Sequence, residues 1–156
     1  GQATAIGAQH FPLTLELLQR AKVPLTPRPV TLNRQEPGSG LSPHSDNLNF
    51  LLVCHVGVRV PVGCSFLMHG RGRASGGSGN GGSDGGSEGV PPSVAAVTSE
   101  RSWTPNKLLV ADTSFVHSTA NQSPQSRYVL HFSVWHPDLT QAECEGIMRL
   151  HEALGG

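Results

Sequence analysis

Two stretches of this chain, residues 48–58 and 127–135, alternate side chains in the manner of β-strands. Both are rich in β-branched and aromatic residues, which favour extended structure. Shorter runs of the same kind lie at residues 30–34, 60–68 and 107–111, and turns containing Gly and Pro separate them. Several short strands joined by such turns predict a mainly β fold, a β-barrel or a jelly roll.

Helices are predicted near both ends of the chain. Residues 11–22 carry Pro12 near a helix start and end before Pro24, which indicates a short covering helix. Thr140 and Glu143 are spaced as a capping box, and an apolar stripe of helical period follows them. We therefore expect flanking N- and C-terminal helices around the β-structure.

Length and charge limit the kinds of protein this can be. The 156 residues fall in the range of one domain, so we expect a single domain over residues 1–156. Eleven basic and eleven acidic residues give a formal net charge of zero, which argues against nucleic acid as a partner. The sequence shows no signal segment and no apolar run of membrane-spanning length, and it leaves the compartment unknown.

One segment, at about 71–92, differs sharply from the rest because it is almost entirely Gly, Ser and acidic residues. It has almost no apolar side chains to offset its ordering entropy, so it is predicted to be a flexible surface insertion within the domain. A phosphate-binding loop is disfavoured because the required strand, helix and lysine are missing around it.

Two histidines and one carboxylate are the candidate metal ligands. His44 and Asp46 are spaced to converge from one short turn, and His117 follows a predicted strand. This is the ligand set of the 2-His-1-carboxylate triad, which holds non-haem Fe(II) and leaves positions open on the metal. Alternatives remain: a turn hydrogen bond between His44 and Asp46, a satisfied half-buried His117, or a Zn or Mn site.

Arg127 begins a predicted strand ten residues after His117. On that strand it shares one face with Val129, His131, Ser133 and Trp135. A buried arginine needs an anionic partner, and its planar fork matches a carboxylate with two hydrogen bonds. A dicarboxylate co-substrate would satisfy it. His131 is equally compatible with lining a pocket and with filling the interior.

These residues together carry a resemblance to a known family. The segment Pro-His-Ser-Asp-Asn at 43–47, Gly-Cys at 63–64, Asp-Thr-Ser-Phe-Val-His at 112–117 and Val-Trp-His-Pro-Asp-Leu-Thr at 134–140 resemble the aspartyl/asparaginyl β-hydroxylases. The resemblance implies a double-stranded β-helix of the jelly-roll or cupin-like type that binds Fe(II), 2-oxoglutarate and O2. It implies metal ligands at His44, Asp46 and His117, and 2-oxoglutarate contacts at Arg127, His55 and Asn33. For Asn33 the alternative is a capped strand end.

The departures from the family pattern concern metal and substrate. Animal aspartyl hydroxylases, which work in the endoplasmic reticulum, carry glycine where this chain has Asp46, so the full triad is expected here. Leu51 and Val53 stand at inward positions where those enzymes use arginines to grip the substrate. Recognition of a substrate carboxylate by these positions is therefore lost or has moved elsewhere. The expected substrate is a peptide, a protein or a small molecule that presents a C–H bond. Peptidyl aspartyl or asparaginyl residues form one class. A non-catalytic binding or scaffold module on the same fold is the alternative function.

The cysteines, Asp112 and three further histidines are not expected to bind metal or co-substrate. Cys54 is predicted to face the core, and reduced thiols are favoured for all three cysteines, although a disulfide is left open. Asp112 is expected to orient the His117 loop rather than to bind metal. Three histidines without a partner pattern, His10, His69 and His151, are predicted at the surface.

Overall fold

Antiparallel strands dominate the protein, as seen in a computed structural model that describes residues 5–70 and 96–155. The strands are β1 (Thr31–Gln35), β2 (Ser39–His44), β3 (Leu51–Arg59), β4 (Cys64–His69), β5 (Val97–Ser102), β6 (Leu108–Ala111), β7 (His117–Asn121) and β8 (Arg127–Trp135). The helices are α1 (Ala5–His10), α2 (Pro12–Arg20) and α3 (Gln141–Ala153). This confirms the mainly β class with few helices. The predicted insertion at 71–92 lies outside the described residues.

The strands form two four-stranded sheets. The first has the order β1-β8-β3-β6, and the second has the order β2-β7-β4-β5. A buried apolar cluster joins residues of both sheets, because Phe66 of β4 and Val129 of β8 pack with Cys64 and Trp103. The two sheets thus share one core, and residues facing that core from opposite sheets can form one site.

Several predicted elements are confirmed, and four were missed. The strands at β1, β3, β4, β6 and β8 and the helices α2 and α3 lie where the pattern predicts them, within a few residues. One missed element is β2, which begins at Ser39 opposite Asn121, directly after a turn at Pro37 and Gly38. The other missed elements are α1, β5 and β7, none of which shows a run of alternating apolar residues.

The capping box of α3 is formed as predicted. The Thr140 hydroxyl accepts a hydrogen bond from the Glu143 backbone N–H, and the Glu143 carboxylate accepts one from the Thr140 backbone N–H. These bonds lower the pKa of Glu143. Among the helices of residues 5–70 and 96–155, none has the length and apolar character needed to cross a membrane.

Asn121, at the end of β7, holds together the ends of several strands. Its Nδ2 donates hydrogen bonds to the carbonyls of Gln35, Glu36 and Gln125, at 2.9 to 3.2 Å. Its Oδ1 accepts from the Cys64 thiol and from the Ser123 backbone N–H. With 1% of its surface exposed, Asn121 satisfies its hydrogen-bonding atoms from the protein itself.

Candidate metal centre

His44 and His117 lie side by side at one end of the second sheet. They face each other across the β2–β7 pair, and their ring centroids are 4.4 Å apart. The pairing of β2 shifts register between Leu41 and His44, so this part of the strand is irregular. Such an irregularity re-aims the following side chain, and Pro43 suits it because proline has no N–H to contribute to the ladder.

Both histidines are fixed in the same tautomer by backbone carbonyls of their own segments. His44 Nδ1 lies 2.8 Å from the carbonyl oxygen of Ser42, and His117 Nδ1 lies 3.0 Å from that of Phe115. A carbonyl oxygen can only accept, so each Nδ1 carries the proton and donates it. Each Nε2 therefore keeps a lone pair, which is the arrangement that a metal-binding imidazole needs.

Asp46 is brought to these rings by bonds between two loops. Its backbone N–H donates to the carbonyl of Thr113 at 2.9 Å, and the Ser45 hydroxyl donates to the carbonyl of Ser114 at 2.7 Å. The Asp112 carboxylate accepts from the backbone N–H and hydroxyl of Ser114. Asp112 thus stabilises the loop that leads to His117, as the sequence predicts.

The two carboxylate oxygens of Asp46 have different neighbours. Oδ1 lies 3.8 Å from His44 Nε2, while Oδ2 lies 3.8 Å from Nη1 of Arg28. The ligand atoms of His44, Asp46 and His117 all lie within 4.8 Å of one another. We call these three residues the metal-ligand cluster. They could hold a metal ion through two imidazole nitrogens and one carboxylate oxygen.

Arg127 is buried, and the part of the chain that the structure describes offers no anionic partner for its charge. Its side chain is 5% exposed, and its Nε and Nη1 have no hydrogen-bond partner among the described residues. Its Cζ lies 4.0 Å from the centroid of the Trp103 ring, a cation–π contact that offsets part of the desolvation cost. Burial lowers the pKa of Arg127 to about 10, so the guanidinium remains charged at neutral pH.

His55 lies against the same indole. The Trp103 Nε1–H donates to His55 Nδ1 at 3.3 Å, and the two rings stack with centroids 5.8 Å apart. Burial, and then the charges of His131, Arg127 and His117, lower the pKa of His55 to about 3. It is therefore a neutral imidazole. We call His55, Trp103 and Arg127 the arginine cluster.

Phe66 connects the two clusters. Its ring stacks on His117 at 5.4 Å with an interplanar angle of 10°, and it meets the edges of His55 and Trp103 at 6.2 and 6.0 Å. One buried phenyl ring from β4 thus contacts a residue of the metal-ligand cluster and two residues of the arginine cluster. Ring contacts thus run without a break from His117 through Phe66 and Trp103 to Arg127.

Other candidate residues are placed as follows. Asn33 is exposed on β1, where its Oδ1 accepts from the Thr31 hydroxyl, and its contact with 2-oxoglutarate stays a prediction. Leu51 and Val53 are buried on β3, on the same face as His55. His131 is half-buried, with its ring centroid 5.2 Å from that of His55, and burial and Arg28 lower its pKa.

The prediction for His69 was wrong. His69 is buried, and its Nε2 lies 2.8 Å from the Ser118 hydroxyl, because it ends β4 where that strand pairs with β7. His10 is exposed as predicted, and His151 is partly exposed. Cys54 is buried as predicted, and all three cysteines are free thiols.

Two contributors to this region were not identified from sequence. Arg28 lies between Pro27 and Pro29, which restrict its backbone. This restriction is the one sequence feature that could have indicated a fixed position for its side chain. Trp103 follows directly after the exposed strand β5. Nothing in the sequence pattern shows that its indole contacts both His55 and Arg127.

Comparison with known proteins adds one finding. A family model described as aspartyl/asparaginyl beta-hydroxylase matches residues 1–75 and 90–137, more than half of the chain. The interruption between the two matched segments falls within the Gly- and Ser-rich stretch, and both clusters lie in the matched part. A search of the curated proteins gave no match.

Proposed function

The chain belongs to the aspartyl/asparaginyl β-hydroxylase family, and on that premise we propose that it is an Fe(II)- and 2-oxoglutarate-dependent dioxygenase that hydroxylates a C–H bond. Two features support this function together: a set of metal-binding side chains and a buried, unpaired arginine nearby. The arginine carries the most weight, because the dioxygenase function supplies the anion that the fold itself does not provide.

The proposed fold is a double-stranded β-helix forming one domain over residues 1–156. The strand pairing supports it: β1 pairs with β8, β2 with β7, β3 with β6, and β4 with β5. This is the pairing of one long hairpin rolled up so that its strands divide between two sheets, as in jelly rolls and cupins.

The donor set of the metal-ligand cluster fits Fe(II). Imidazole nitrogen suits iron, the carboxylate adds a hard anionic oxygen, and three ligands leave room for further ones. The Nε2 atoms of His44 and His117 keep lone pairs because both Nδ1 atoms are bonded to carbonyls. Asp46 Oδ1 lies 3.8 Å from His44 Nε2, while Oδ2 forms a long ion pair with Arg28 at 3.8 Å. We propose that these three residues are the iron ligands.

The arginine cluster fits one carboxylate of 2-oxoglutarate. Arg127 has buried donors without a partner among the described residues, and its planar fork can bind a carboxylate with two hydrogen bonds. Neutral His55 has its single ring proton on Nε2 and can add a further donor. We propose that Arg127 and His55 bind the co-substrate, with Asn33 as a further contact.

Bound iron and 2-oxoglutarate would supply O2 activation, in which 2-oxoglutarate is oxidised to succinate and CO2 and one oxygen atom enters the substrate C–H bond. The protein positions the participants. Phe66, His55 and Trp103 exclude water from the buried region, which strengthens the attraction between Arg127 and a carboxylate.

The proposed substrate is a peptide, a protein or a small molecule presenting a C–H bond, with peptidyl aspartyl or asparaginyl residues as one class. Leu51 and Val53 are both buried and apolar, so they cannot bind a substrate carboxylate from β3. The protein therefore needs a different means of binding substrate from that of the animal enzymes.

Anaerobic titration with Fe(II) and 2-oxoglutarate tests the proposed function. We expect a visible charge-transfer band that needs both additions, followed by slow release of succinate when air is admitted. Zn(II) in place of Fe(II) should give neither signal. Binding of metal without any effect of 2-oxoglutarate would contradict the proposal and favour the scaffold or zinc alternatives.

A further inference from the structure

Trp103 contacts two residues of the proposed co-substrate site, His55 and Arg127. Its Nε1–H points at His55 Nδ1, and its ring face lies under Arg127. An indole N–H can donate but cannot accept, so His55 Nδ1 must be the acceptor. This contact requires His55 to carry its single ring proton on Nε2.

The segment that carries Trp103 is attached to β3 close to His55. Gly57 accepts a hydrogen bond from the Asn106 backbone N–H at 2.8 Å and donates one to the Lys107 carbonyl at 3.3 Å. A Cβ added at Gly57 would lie 2.7 Å from the Thr104 carbonyl oxygen, so the close approach needs glycine. These backbone contacts directly after Trp103 thus help to place the indole, and Trp103 is 5% exposed.

We propose that Trp103 is a positioning residue for the co-substrate: its N–H holds His55 as the Nε2–H tautomer, and its ring holds the Arg127 guanidinium in place. The donors of His55 and Arg127 are then fixed in orientation before a carboxylate binds. This role rests on the proposed function, because it assumes that Arg127 and His55 receive 2-oxoglutarate.

Neutral His55 is compatible with this arrangement. A protonated His55 would place a second N–H against the indole N–H and a second charge beside Arg127. The region disfavours that state, since burial and the neighbouring cations lower the pKa of His55 to about 3. The charged groups that act on it are Arg127 and Asp46, together with His131 and His117.

Trp103→Phe tests the role, because phenylalanine keeps an aromatic ring but has no N–H. The matched control is Trp135→Phe on β8, where the ring contacts Phe50 instead. Zinc-substituted protein allows 2-oxoglutarate affinity to be measured by calorimetry and the His55 tautomer by ¹⁵N NMR, without turnover. Zinc affinity itself reports whether the fold and the metal-ligand cluster remain intact.

We expect Trp103→Phe to weaken 2-oxoglutarate binding about threefold to tenfold, the effect of losing one hydrogen bond. The His55 nitrogen signals should change from one pure tautomer to a mixture, while zinc affinity stays unchanged. Trp135→Phe should alter none of these. An unchanged His55 tautomer with normal 2-oxoglutarate affinity would overturn the positioning role, as would an equal loss of zinc and 2-oxoglutarate affinity.

Failure of the proposed function gives a different pattern. If the wild-type zinc protein does not bind 2-oxoglutarate at all, both the dioxygenase function and the positioning role are wrong. If the wild type binds it and Trp103→Phe binds it equally well, only the positioning role is wrong.

Discussion

His44 and His117 are held in matching ways: each ring donates its Nδ1–H to the backbone carbonyl two residues before it, and the ring centroids lie 4.4 Å apart. Because each Nδ1 is already hydrogen-bonded, the Nε2 atom of each ring keeps a lone pair with which it can bind a metal ion. It also means that neither ring needs to change tautomer before a metal binds.

Replacing either histidine by alanine should remove metal binding. We expect His44→Ala and His117→Ala each to weaken Fe(II) affinity by more than about 100-fold, because the loss of even an outer-shell partner typically costs 10- to 100-fold. Equilibrium dialysis with metal analysis measures this. His10→Ala, at an exposed site on α1, should retain normal affinity. Normal succinate release by either ligand variant would contradict the assignment.

Arg127→Met should separate stability from co-substrate binding. The buried guanidinium has unpaired donors, so an apolar side chain of similar length should leave the free energy of unfolding unchanged or raise it by about 1–3 kcal/mol. Affinity for 2-oxoglutarate should fall at least about 30-fold, as expected when a buried charge pair loses one member.

Chemical unfolding and calorimetry of Arg127→Met provide the two measurements. Arg101→Met, on exposed β5, is the matched control and should leave both quantities unchanged. A large loss of stability together with unchanged 2-oxoglutarate affinity would show that Arg127 is structural. Added 2-oxoglutarate should raise the midpoint of thermal unfolding of the wild type but not that of Arg127→Met.

The buried His55 predicts a loss of stability in mild acid. Its pKa is about 3 in the folded protein and about 6.5 when unfolded, so between these values only the unfolded chain gains the proton. Stability is therefore unaffected by this group above pH 6.5 and falls as the pH decreases. At pH 5 the loss from His55 should be about 2 kcal/mol.

Urea unfolding at pH 7.5 and pH 5 measures this loss, in the absence of metal and co-substrate. In His55→Asn, where an amide oxygen can still accept from Trp103, the difference between the two pH values should shrink by that amount. His10→Asn should retain the wild-type difference. An undiminished difference in His55→Asn would show that other groups cause it.

Asn121→Asp should destabilise the fold strongly. The Asn121 Nδ2 donates to three carbonyls, and a carboxylate would instead face them with no proton to donate. We expect a loss of about 3 kcal/mol in the free energy of unfolding at pH 7.5. Gln122→Glu adds the same charge on the adjacent exposed residue and should change stability little. Equal effects of the two variants would point to net charge instead.

The sequence was most informative where short-range chemistry decides the structure. Three local features have the geometry that the sequence indicates. His44 and Asp46 converge, Arg127 is buried, and the capping box forms at Thr140. The strands β2, β5 and β7 were missed because they are largely polar or exposed, and their conformation depends on pairing with distant strands. The surroundings of His69 and Trp103 could not be predicted for the same reason, because their hydrogen-bond partners, Ser118 and His55, are far away in the chain.

The nested pairing of strands has a consequence for how the protein is made. Each of the pairs β1·β8, β2·β7 and β3·β6 encloses the next, so the outer ones join residues that are far apart in the chain. Contacts of such long sequence separation form slowly. Arg127, at the start of β8, is the last of the proposed binding residues along the chain, so the complete set is present only once synthesis has passed β8 and β8 has paired with β1 and β3.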